Sequence, residues 1–155
     1  MSQPAVQRFL ASIADLGLSP EVREFDESTH TAAEAAAAIG CDVAAIVKSL
    51  LFEADDAPLL VLASGPNRVD TAALGGRLGL TIGKADAAAV KQATGYSIGA
   101  VPPLGHLTPL RTLFDETLLD LPLVWAAAGS ATAVFAIEPA ELARVTHAEI
   151  VSIGG

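Results

Sequence analysis

The stretch IVKSLLFEADDAPLLVLAS, residues 46–64, restricts the fold more than any other part of the chain. Two apolar runs, residues 46–53 and 58–64, flank the acidic pair Asp55-Asp56, a pattern that predicts a β-hairpin closed by a tight turn. Side chains alternate between the two faces of a strand. Ile46, Lys48, Leu50 and Phe52 therefore share one face, and Val47, Ser49, Leu51 and Glu53 the other. The sequence has only three lysines, and this one falls among the more hydrophobic set. Two readings fit. The stem packs and the amine reaches water near a strand end, or the ammonium is held at the rim of a pocket, where a low dielectric strengthens its pull on a substrate oxygen.

Helical spacing of Val6, Phe9, Leu10, Ile13 and Leu16 predicts an amphipathic helix over residues 4–16, stopped by Gly17. Thr31 followed by Glu34 is a capping-box signature for an alanine-rich helix ending at Gly40. Further helices are expected over residues 71–78 behind Asp70, over residues 85–93, and over residues 139–144 from Pro139. Short strands are expected at residues 21–25, around 80–84, at 111–117, 121–128, 132–138 and 149–153. Adjacent strand pairs with interspersed helices do not alternate as a doubly wound fold would. The expectation is a single domain of the α+β type within the broad α/β class. Its short helices pack around a curved, mixed, mostly antiparallel sheet or partial barrel.

Composition narrows function chiefly by exclusion. A net charge of −9 argues against a broad phosphate-binding surface, so any nucleic acid would be held locally by a few placed cations. Phosphate-loop, nucleophile-elbow and dinucleotide signatures are all absent. His30, His106 and His147 lack ligand spacing, and with one cysteine no metal site or cofactor is expected. Cys41, just past a helix-ending glycine, reads first as a packed small hydrophobe, with a reactive thiol as the lesser alternative. The lone cysteine and the lack of a long apolar run suggest a cytoplasmic protein without a membrane segment.

The second unusual feature is the loop TGYSIGAVPPLG, residues 94–105. It is too long for a simple turn and too rich in glycine and proline for a regular element. It reads either as a rigid crossover or as a wall offering backbone N–H groups to a ligand. Lysine strand and loop in this order resemble the YbaK/EbsC-like proteins, free-standing relatives of the editing insertion domain of bacterial prolyl-tRNA synthetase. HTAAEAAAAIG (residues 30–40), RVD (68–70), DETLL (115–119) and AAGSATAVFAIEPAEL (127–142) extend the match over nearly the whole chain.

The resemblance implies one editing domain over residues 1–155 that hydrolyses the ester joining a wrong amino acid to the end of a tRNA, most readily tRNA(Pro). It implies no metal and no side-chain nucleophile; water or a substrate hydroxyl attacks. Lys48 and Gly99 are its catalytic positions, the lysine gripping oxygens of the aminoacyl-adenosine end and the loop from Gly99 to Pro103 orienting the ester. Substrate-binding positions would be His30, Ser49, Thr94, Tyr96, Ala100, Val101, Pro102, Pro103, Gly129, Ser130 and Thr132. The implied partner is the acceptor end of a mischarged tRNA, with prolyl-tRNA synthetase or an elongation factor as a further candidate. Gly99-Ala100 stands where many relatives have Gly-Gly, and Ser49 where threonine is common, which bears on specificity more than on the reaction. His30, beside a capping box, is equally open to a structural reading. A non-catalytic module holding a nucleotide or aminoacyl end in the same pocket is the alternative, and a deacylase of a small ester unrelated to tRNA is a third.

Overall fold

The computed structural model describes residues 4–18, 20–25 and 31–153; His30 lies outside them. Helix α1 (Pro4–Ala14) buries Val6, Phe9 and Ile13 along one stripe. It ends two residues before the predicted stop, because the chain turns through residues 15–17 and Gly17 takes φ +76°. Strand β1 (Val22–Glu24) is followed by α2 (Ala32–Ile39). The Thr31 cap is formed: its hydroxyl accepts the Glu34 N–H at 3.1 Å and donates to the Glu34 carboxylate at 2.9 Å.

The hairpin is present as β2 (Ile46–Ala54) and β3 (Ala57–Ser64), with Lys48 opposite Ala63. Asp55 and Asp56 take φ +50° and +68°, as a two-residue type I′ turn requires. The two faces of this hairpin feed different cores. Val47, Leu51, Leu60 and Leu62 pack toward α1 with Phe114 and Phe135. Leu50, Phe52, Leu59, Val61 and Ala63 pack with Leu74 of α3 (Thr71–Leu78) and Leu113. Because β3 is covered on both sides, its apolar run is continuous rather than alternating.

The remaining elements are β4 (Ile82–Lys84), α4 (Ala87–Thr94), β5 (Arg111–Asp115), β6 (Val124–Ala127), β7 (Ala133–Ile137), α5 (Pro139–Thr146) and β8 (Glu149–Val151). Strand β5 stops before the expected residue 117, because the Asp115 carboxylate accepts the Thr117 N–H and starts a 3-10 turn, Glu116–Asp120. The eight-stranded sheet runs β1-β7-β6-β2-β3-β5-β8, with β4 added to β2. Four pairings are antiparallel, and three (β2 with β6, β3 with β5, β5 with β8) are parallel. The two ends of the path do not pair, so the sheet is mixed and open, not a closed barrel.

Candidate active site

One edge of β2 pairs with β3 along its length, and the other is shared. Strand β6 pairs there only with Ile46 and Val47, and β4 only from Phe52 onward. Residues 48–51 therefore have no strand on that side. Beside a two-residue hairpin turn, Ala54 and the even-numbered positions direct their backbone groups toward β3. The odd-numbered positions face the other edge, as the Asp55 N–H bonded to Thr81 O at 3.2 Å shows. By this parity the N–H and C=O of Ser49 and Leu51 look into the gap.

A cavity of about 570 Å³ occupies the gap, and side chains from both faces of β2 line it. It thus passes around the open edge and has two lobes. On the Lys48 face it is bounded by Leu50, Phe52, Lys84, Trp125 and the start of α2 at Thr31 and Ala32. On the Ser49 face it is bounded by Val47, Leu51, Val90, Gly99 and Val101. Two of the chain's three lysines, its one tryptophan and Phe52 share the first lobe, while the second is almost wholly apolar. No carboxylate, histidine or cysteine appears among the described residues that line either lobe.

Lys48 is partly buried, and its Nζ donates to Asn67 O at 2.5 Å. Burial, and then the neighbouring Arg68 guanidinium, push its pKa below the ordinary lysine value of 10.5, while the Asp115 carboxylate acts the other way. Asp115 is 1% exposed and collects the N–H groups of Ser64 (3.0 Å) and Thr117 (3.0 Å) and the Asn67 side-chain amide (2.9 Å). That amide also lies 3.1 Å from Thr117 Oγ1. The carboxylate thereby fixes the loop whose carbonyl receives Lys48. The sequence reading did not assign Asn67 or Asp115 to the site; the polar Asn67 beside RVD, opposite a β-strand ending in Asp, was the available signal.

In the loop, Ala100 N–H bonds Ser97 O at 2.9 Å and Gly99 takes φ +86°, the third position of a type II turn. Ile98 caps that turn, 58% exposed, over the cavity mouth. Half-buried His106 places Nε2 2.7 Å from Pro102 O; burial holds the imidazole below its usual pKa, so the neutral ring donates Nε2–H and pins the loop.

The expected site residues separate by position. Lys48, Ser49, Gly99, Val101 and Ser130 line the one cavity. Ala100, Pro102 and Pro103 form the buried back of the loop. Thr94 is fully buried at the end of α4, its hydroxyl 2.7 Å from Val90 O and accepting the Tyr96 N–H at 3.0 Å. The Tyr96 ring packs inward under the Arg8 guanidinium, 4.6 Å from the ring centre, while Arg8 also bonds Gly95 O at 2.6 Å. Gly129 sits against Tyr96 and α1, where an added Cβ would stand 2.8 Å from Ala5 O. The Thr132 hydroxyl lies 3.0 Å from that of Ser130 in the same turn. Thr94, Tyr96 and Gly129 thus support the walls from behind.

Known proteins resemble the chain in sequence and in fold. YwhH of Bacillus subtilis (strain 168) is 28% identical over 131 residues, 84% of this chain and 83% of that protein. Proline–tRNA ligase of Lactobacillus helveticus (strain DPC 4571) is 38% identical over 85 residues, 54% of this chain but 15% of the ligase. The solved structure of a proposed trans-editing enzyme for prolyl-tRNA synthetase superposes with a TM-score of 0.95 at 38% identity, covering 100% of this chain and 99% of that one. The profile of the aminoacyl-tRNA editing domain matches residues 26–145, and the chain belongs to that family.

Proposed function

We propose that residues 1–155 act as one trans-acting deacylase in the cytoplasm, hydrolysing the ester of a mischarged tRNA, with tRNA(Pro) as the leading substrate. The observation that carries this reading is the cavity itself. It brings a partly buried ammonium, an open row of backbone donors and acceptors, and the Gly99 turn around one space. Membership of the editing family, a ligase segment at 38% identity and the proposed trans-editing neighbour agree with it.

The chemistry suits a site whose described lining holds no carboxylate or histidine. An aminoacyl ester is already activated, so positioning and oxyanion stabilisation supply much of the acceleration. Lys48 offers its remaining N–H bonds to substrate oxygens, and Phe52 and Trp125 offer apolar faces to the terminal adenosine. The ester carbonyl lies toward the β2 edge and the Gly99 turn, where backbone N–H groups receive the developing negative charge. A water oxygen bonds to the carbonyl carbon, the carbon–ribose oxygen bond breaks, and the proton passes to that ribose oxygen. The products are free amino acid and tRNA. A net charge of −9, with two lysines placed at the cavity, fits recognition of the acceptor end alone.

Among the described lining residues none is a histidine or carboxylate, which favours one rival, a module that binds the aminoacyl end without turnover. The test is deacylation of tRNA(Pro) charged with alanine, cysteine, serine or threonine, by wild type and by Lys48→Ala. Release of an amino acid by wild type, lost by at least 100-fold in the variant, supports the deacylase. Binding of every charged tRNA with no release by wild type would establish the rival.

A further inference from the structure

A second cavity, of about 300 Å³, adjoins the residue that receives Lys48: Asn67 lines it, while Asn67 O accepts the ammonium at 2.5 Å. A single hydrogen bond therefore links the linings of the two cavities. Arg68, Glu116, Thr117 and Ser152 supply the polar walls of the second. The wall is fixed in place, since Ile153 O accepts the Asp70 N–H at 2.9 Å and Ser152 O accepts from Arg77 at 2.5 Å. The Asp115 carboxylate at its edge is 1% exposed and already serves Ser64, Asn67 and Thr117, so it is not open to a ligand.

Arg68 and Glu116 are exposed, and neither forms an ion pair among the described residues. Two opposite charges that line one small cavity without meeting give it a cationic end and an acceptor end. The Thr117 hydroxyl accepts from the Asn67 amide at 3.1 Å, which leaves its own hydrogen for another oxygen. The complementary ligand carries an anion, an amino donor and a carbonyl acceptor. A cytidylate has all three: arginine grips phosphate, and a carboxylate accepts from the cytosine N4 amine. The volume lies at the lower end of the range for small-ligand sites, about 300–1,000 Å³, and suits a single nucleotide. Its place beside the first cavity says where that nucleotide comes from. Arg68 is near enough to Lys48 to disfavour the ammonium, so two cations flank the boundary, and a phosphodiester between them relieves their repulsion. The nucleotide next to the terminal adenosine of a tRNA is a cytidine, joined to it by one such phosphate.

We propose that the second cavity is the subsite for the penultimate nucleotide of the acceptor end, a cytidylate, with Arg68 on the phosphate that joins it to the adenosine and Glu116 accepting from its exocyclic amine. This rests on the deacylase reading, in which the terminal adenosine occupies the first cavity. Arg68 and Glu116 thereby fix the register of the strand entering the site, while Lys48 holds its last residue.

The test measures competitive inhibition of charged-tRNA(Pro) deacylation by adenosine, by the dinucleotide CpA and by UpA, with wild type, Arg68→Ala and Glu116→Gln. For wild type, CpA should inhibit at a concentration about tenfold or more below adenosine, with UpA between them. Arg68→Ala should shrink the advantage of CpA over adenosine to about twofold, and this ratio is independent of any effect the variant has on Lys48. Glu116→Gln should keep the advantage of a dinucleotide but bring CpA and UpA within about twofold of each other, because its amide also donates to the uracil carbonyl. Both side chains are exposed and without ion pairs among the described residues, so the Tm of each variant should stay close to wild type. CpA no better than adenosine on wild type overturns the subsite and leaves the deacylase intact. An advantage of CpA that survives in Arg68→Ala overturns it as well. A wild type inactive on every charged tRNA removes the deacylase reading and the subsite with it.

Discussion

Removing the Asp115 carboxylate should unlatch the loop that receives Lys48, and the cost can be worked out from its bonds. In Asp115→Ala the Ser64 N–H, on a residue with no exposure, loses its acceptor in a place water does not reach. That alone costs about 1–3 kcal/mol. Thr117 is partly exposed and finds water, and the Asn67 amide retains Thr117 Oγ1 at 3.1 Å, so each of those losses is nearer about 0.5–1.5 kcal/mol. Part of this is offset because a desolvated charge disappears. A net loss of about 3 kcal/mol corresponds to a Tm lower by roughly 6–12 °C in a chain of this size. Asp115→Asn should do less harm. Its amide oxygen can serve the Ser64 and Asn67 donors that now share Oδ2, leaving its NH2 against the Thr117 N–H. One lost acceptor of that kind costs about 1–2 kcal/mol. Thermal melts read the order wild type, Asn, Ala, and deacylation at a temperature where all three are folded reads the displacement of Lys48. A melt of Asp115→Ala within 2 °C of wild type, or an Asn variant worse than Ala, would refute this account of the carboxylate as an acceptor hub.

Three further outcomes can be checked. Deacylation that needs a charged Lys48 should fall on an alkaline limb below pH 10.5, because burial and Arg68 disfavour its protonated form. Asp115→Asn should move that limb to still lower pH by removing the charge that supports the ammonium, as rates corrected for spontaneous hydrolysis will show. Lys84→Ala should raise KM for charged tRNA and flatten the log–log salt dependence by about one unit, with no effect on an aminoacyl-adenosine lacking phosphate. Gly129→Ala should lower stability by about 2–3 kcal/mol in a urea titration, since φ is +98° and the new Cβ would meet both Ala5 O and the Tyr96 ring at 3.0 Å or less.

Local rules made the elements of this fold legible, and long-range pairing hid the site. The Asp-Asp turn, the Thr31 N-cap and the α1 stripe are each decided within a few residues, so their sequence signatures carried over directly. The lysine face of β2 followed from alternation alone. The parallel partners of β2, β3 and β5 come from distant segments, and nothing local in residues 46–47 or 59–62 names them. This is why the open edge could not be foreseen: it exists only because β6 leaves β2 after Val47 and β4 joins at Phe52. The loop shows the same limit from the other side. Its glycines and prolines announced an irregular wall, but whether Tyr96 faced ligand or core depended on Arg8, which is 88 positions away. Asp115 was invisible as a site residue because its work is indirect, holding Asn67, whose backbone then holds Lys48. A lysine on an apolar strand face is tolerable when its ammonium has both a fixed carbonyl and a nearby buried carboxylate, and here both lie across the sheet from it. The sequence question posed by that lysine is therefore answered by residues 19 and 67 positions further along the chain, which only the folded sheet brings to it.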